Sequence, residues 1–91
     1  MIRIAVIGVG SMGQQHARIL FHSDAAQLVA VADSLPEQAE KIGRHYNARP
    51  YVRYQELLDD ETIDAVSIAV PTSRHREVAL SALEKGKHVL L

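Results

Sequence analysis

Four stretches of the chain are apolar at nearly every position, and they are separated by segments in which apolar residues recur every three to four positions. The first stretch is Ile2, Ile4, Ala5, Val6 and Ile7, broken only by Arg3 and ended by Gly8. It is too continuously apolar for a strand with one wet face and too short for a helix, so it predicts a buried parallel strand. Leu28–Ala32 and Ala65–Val70 read the same way, and His88–Leu91 begins a further strand. Between them, Gly13, His16, Ala17, Leu20 and Phe21 fall at i, i+3, i+4, i+7 and i+8, the spacing of one buried helix face over a segment Gln14–His22. Leu35, Gln38, Ala39, Ile42 and Gly43 mark a second helix, and His75, Val78, Ala79, Ala82 and Leu83 a third over Arg74–Lys85. Tyr54, Leu57 and Leu58 predict a brief helix after a short edge strand near Pro50–Val52. Strands alternating with helices imply an α/β fold, a doubly wound parallel sheet.

Local signals set the expected boundaries. Ser34 and Glu37 have capping-box spacing around Pro36, so the second helix is expected to start there, with Gly43 as its stop. Thr72 or Ser73 is placed to cap the helix after Pro71, and Gly86 to end it. The acidic run Asp59, Asp60 and Glu61, with Asp64 after it, is adjacent rather than arranged around one ion, and is read as a solvated loop, with no metal site.

The chemistry is concentrated after the first strand. Gly8, Gly10 and Gly13 form GxGxxG between a strand and a helix. Gly8 supplies the bend, Gly10 admits a pyrophosphate without a Cβ in the way, and Gly13 lets helix and strand approach. Free N–H groups at the helix start attract anions. Alone, the glycines are weak evidence; Asp33, 20 residues beyond Gly13 at the end of the next strand, strengthens them. That is the offset at which a carboxylate accepts the ribose hydroxyls of a dinucleotide. No arginine directly follows Asp33, which favours NAD over NADP while leaving NADP possible. If the fourth strand lies beside the first, the loops after Gly8 and Val70 border one crevice, bringing Pro71, Thr72 and His75 to the ligand. Thr72 then serves either a ribose hydroxyl or its own helix, and Ser34 has the same two options. His75 either packs inward or touches cofactor. His16 is read as packed beneath the turn and bonded to a backbone carbonyl.

Composition narrows the class. Ninety-one residues make one small domain, shorter than the roughly 150 of a full doubly wound sheet, so residues 1–91 are expected to be an incomplete dinucleotide-binding domain. A net charge of −1 offers no basic field for nucleic acid or membrane. With no cysteine there is no disulfide framework, and the expected compartment is the cytoplasm.

Gly8-Val9-Gly10-Ser11-Met12-Gly13 with His16, Leu28–Asp33, Ile63–Val66, Pro71 with His75, and Gly86–Val89 together resemble the N-terminal domain of the glucose-fructose oxidoreductase and inositol dehydrogenase family. The resemblance spans essentially the whole chain. It implies an NAD(P)-dependent oxidoreductase that moves hydride between nicotinamide and a sugar, inositol or related polyol. Cofactor contacts carried over by it fall on Gly8, Val9, Gly10, Ser11, Met12, Gly13, Asp33, Ser34, Pro71, Thr72 and His75. The family pattern continues past a strand like His88–Leu91 into Glu-Lys-Pro, whose lysine is the usual catalytic group. The sequence stops before it, so no catalytic residue is assigned, and neither Lys85 nor Lys87 matches its position. The resemblance therefore implies the cofactor half of a larger enzyme, inactive alone, with the substrate domain and a homo-oligomer interface elsewhere. A dinucleotide-sensing regulatory module, which needs no catalytic lysine, is the alternative. A methyltransferase, which also uses an acid after its second strand, is a weaker third.

Overall fold

The computed structural model describes residues 1–90. Five parallel strands stand in the order β3-β2-β1-β4-β5, formed by β1 (Ile2–Ile7), β2 (Ala26–Ala32), β3 (Arg49–Tyr51), β4 (Ala65–Ile68) and β5 (His88–Leu90). The expected last residue of β5, Leu91, lies outside the described residues. Helices α1 (Ser11–Phe21), α2 (Pro36–Tyr46), α3 (Tyr54–Leu58) and α4 (Thr72–Glu84) connect them. Chain order along the sheet reverses beside β1, where β2 pairs on one side and β4 on the other.

Alternation along the strands divides the core between two faces. Ala5, Ile7, Ala30, Ala32, Val66 and Ile68 pack with Tyr54 and Leu57 of α3 and Val78 and Ala82 of α4. Val6 and Val31 face the other way, onto Ala17 of α1 and Ile42 of α2. Because both faces are covered, β1 must be apolar at successive positions, and Ala5 and Val6 are both fully buried. One register shift between Ile4 and Ala5 accommodates an extra residue in β2.

Several local expectations are corrected. Ser34 does not cap α2: the N-cap is Leu35, which lacks a side-chain cap bond, and Leu35 is exposed rather than inward. Asp33 instead closes the turn, its Oδ1 accepting Leu35 N–H at 2.9 Å. Pro36 opens the helix as expected. Gly43 does not stop it. α2 runs on to Tyr46 and ends at Asn47, whose φ of 54° is the left-handed conformation of a helix terminus. Gly43 is there for contact, since a Cβ would meet Ala48 O at 2.7 Å. α4 begins at Thr72 with Pro71 as N-cap and no side-chain cap. Gly86, at φ 75°, follows the end of α4 as expected. Phe21 and Leu83, placed on inner faces by spacing alone, are exposed.

The acidic run is not simply solvated either. Asp60 accepts Thr62 Oγ1 at 2.6 Å, Thr62 N–H at 2.9 Å and Tyr51 Oη at 3.0 Å, and it pairs with Arg49. These bonds, the threonine hydroxyl first, hold its carboxyl down to about 2. Lys87 is buried, with Nζ donating to the carbonyls of Asp60 and Ile63 at 2.8 and 2.7 Å. Both residues fasten the α3–β4 connection, far in chain position from the glycine turn. No group of metal-ligating side chains occurs among the described residues.

Candidate cofactor-binding site

The glycine turn joins β1 to α1, and each glycine meets different surroundings. Gly8 has φ of 92°, where an L side chain is strained, and a Cβ there would lie 2.8 Å from Ala69 O. At Gly13 a Cβ would come within 1.7 Å of Gly8 O, so only hydrogen allows α1 to start so close to β1. A Cβ on Gly10 meets nothing within 4 Å. Packing therefore demands Gly8 and Gly13, whereas space on the open side of the turn is all that Gly10 keeps.

That open side faces a cleft of about 790 Å3, within the range of small-molecule sites. α1 enters it without a side-chain cap and with no acidic residue in its first turn. Its leading N–H groups have no intrahelical acceptor, and the backbone dipole favours an anion there.

The turn is held at Val9, which is fully buried. Val9 N–H donates to Asp33 Oδ2 at 3.0 Å. Val9 O accepts Gln14 Nε2 of α1 at 3.1 Å and Gln38 Nε2 of α2 at 2.7 Å. Three elements thus grip one residue through its two adjoining peptide groups. Asp33, at the carboxyl end of β2, keeps further lone pairs for donors in the cleft.

Of the residues expected at the site, Gly8, Gly10, Met12, Asp33, Ser34, Pro71 and Thr72 line this one cleft. Val9, Ser11, Gly13 and His75 do not; Val9 and Gly13 are buried within the turn, Ser11 is exposed at the start of α1, and His75 is half-buried along α4. With α2 and α4 lacking side-chain caps, the hydroxyls of Ser34 and Thr72 are released from the capping role. His16 bonds differently from expectation, its Nδ1 standing 2.9 Å from the buried hydroxyl of Ser67 on β4 rather than at a backbone carbonyl. Sequence reading missed Val52, Arg53, Tyr54 and Arg74 on the cleft wall. Tyr54 is marked only as part of the α3 pattern, and no motif marks the other three, which reach the cleft from the β3–α3 turn and from α4.

Residues 2–91 match the oxidoreductase family described as having an NAD-binding Rossmann fold, Gfo/Idh/MocA. The chain belongs to that family. It is 38% identical over 96 residues to scyllo-inositol 2-dehydrogenase (NAD(+)) of Bacillus subtilis strain 168, a match covering 99% of this chain and 27% of that protein. A crystal structure of scyllo-inositol dehydrogenase from Lactobacillus casei with bound NAD(H) and scyllo-inositol superposes at TM-score 0.91 and 27% identity, over 98% of this chain and 27% of the other. KijD10, a 3-ketoreductase from Actinomadura kijaniata in complex with TDP-benzene and NADP, superposes at TM-score 0.93 and 29% identity, over 98% and 28%. The chain thus spans about a quarter of the length of these relatives. The glycine turn, the acid after β2 and the reversal of chain order beside β1 are features of the Rossmann kind of fold that the family description names.

Proposed function

We propose that this chain supplies the cofactor half of an NAD(P)-dependent oxidoreductase acting on a sugar, inositol or related polyol, with residues 1–91 part of a larger dinucleotide-binding domain. The observation that carries the reading is the Gly10 turn, open to a single cleft that also holds Asp33 at its β2 wall. In this reading the N–H groups at the start of α1 bind the pyrophosphate, and the absent Cβ of Gly10 lets it approach. Asp33 accepts the adenosine ribose hydroxyls, while Thr72 and Pro71, on the β4 side, border the nicotinamide ribose. Ser34 offers its hydroxyl beside Asp33. Bound nicotinamide supplies the hydride-accepting carbon. The chain's own part is to orient it and to hold the dinucleotide extended across the junction of β1 and β4. Substrate class rests on the inositol and sugar-nucleotide relatives, and catalytic groups belong to the rest of the enzyme.

The test is calorimetric titration of the larger enzyme, residues 1–91 together with the substrate domain, with NAD, followed by absorbance assays of reduced cofactor against inositols and sugars. Tight NAD binding with turnover of one of them supports the reading. NAD binding with no turnover on any polyol shifts the assignment to a dinucleotide-sensing regulatory module.

A further inference from the structure

Two guanidinium groups line the cleft and have no part in the function proposed above. Arg53 is the N-cap residue of α3, and Arg74 lies in the first turn of α4 with its guanidinium carbon 5.9 Å from the centre of the Tyr54 ring. The ion pairs found among the described residues engage Arg3, Arg49 and Lys85, leaving Arg53 and Arg74 without a carboxylate within 4 Å. Unpaired cations on a cleft wall are matched to an anion.

Backbone pairing brings Arg53 to the Asp33 side. Asp33 N–H donates to Tyr51 O at 3.0 Å, so the chain leaving β3 passes the carboxyl end of β2, and Arg53 follows two residues later. Arg53, Asp33 and Ser34 line the same cleft. A free carboxylate at the end of β2 repels a phosphorylated ribose. Here both carboxylate oxygens are already engaged by backbone N–H groups, Oδ2 by Val9 and Oδ1 by Leu35, which offsets part of that repulsion. Arg53 opposes the remainder with a full positive charge. Arg74 is committed to the face of Tyr54 and contributes only its field.

Resting on the cofactor-binding reading above, we infer that Arg53 binds the 2′-phosphate of NADP, so that this chain accepts NADP beside NAD although Asp33 stands at the end of β2. Asp33 keeps NAD ahead; Arg53 keeps NADP within reach. The contact is exposed to solvent, so salt screens it.

The experiment measures Kd of the full chain for NAD and NADP, and for 5′-AMP and adenosine 2′,5′-bisphosphate, which differ only in the 2′-phosphate. Arg53→Ala is expected to weaken NADP and the bisphosphate by about tenfold or more beyond any effect on NAD and 5′-AMP, the size of one charge-assisted contact. Arg53→Lys recovers part of the loss, and added salt weakens NADP more than NAD. Equal losses for both members of each pair in Arg53→Ala, or no NADP binding by the unmutated chain while NAD binds, overturns the inference. Failure of NAD itself to bind overturns the underlying reading as well, so the two failures are told apart.

Discussion

Asp33 holds two turns and faces the cleft with one carboxylate, accepting Leu35 N–H at the start of α2 as well as serving the glycine turn. It anchors Val9 N–H and presents charge to the cleft. Bonds to a charged acceptor are worth about 1.5–3 kcal/mol, so Asp33→Ala is expected to weaken NAD binding by about 10- to 150-fold and to narrow the preference over NADP, read by calorimetry. The glycines separate in the opposite sense. Gly10→Val abolishes NAD binding while leaving the melting temperature nearly unchanged, because nothing in the protein lies near the added carbon. Gly13→Ala drives a Cβ against Gly8 O and destabilises the fold by about 3 kcal/mol or more, measured by urea unfolding. A folded Gly10→Val variant with unchanged affinity for NAD would place the cradle elsewhere.

At the level of elements, the short edge strand β3 depends on the network around Asp60. Its carboxyl, held at about 2 against an ordinary value near 4, is protonated more readily in the unfolded chain. The stability it contributes is therefore present above the unfolded value and is lost as pH falls from about 4 through about 2. The loss amounts to about 2 kcal/mol. Asp60→Asn should flatten the acid limb of a stability-against-pH curve over that window; an unchanged limb would remove Asp60 as its cause. Elements with a strong pattern were readable in the sequence: β1, β2 and β4 as runs apolar at all but one position, and α1 and α4 from the i, i+3, i+4 repeat. What escaped was set by contacts that cross from one element to the next and follow no single period. Gly43 looked like a stop because the Ala48 carbonyl that a Cβ there would meet lies beyond the helix end, and Asp60 looked solvated because Tyr51 and Arg49 reach it from β3. The glycines and Asp33 were legible because a local turn and a fixed offset define them. Arg53 and Arg74 were not, because only the folded sheet brings their two turns to one wall.

For the molecule as a whole, the β5 side is the exposed flank. β5 pairs only with β4 among the described strands, and Leu80, Leu83 and Leu90 are each about half exposed or more. The 91 residues alone are therefore expected to self-associate in analytical ultracentrifugation, and Leu83→Lys should shift them toward monomer. They should bind NAD and reduce none of it with inositols or sugars if, as proposed, the substrate pocket and catalytic groups belong to the rest of the enzyme. Turnover by these residues alone would refute the half-enzyme reading. The grip on Val9, by its N–H and its carbonyl, from the end of β2, α1 and α2 has a kinetic corollary. A mould already set before its ligand arrives loses little chain freedom on filling, so cofactor capture should follow a single bimolecular phase with no slow step that saturates with concentration. The same grip should leave the Val9 amide among the slowest to exchange with deuterium of any in the loops, cofactor or none.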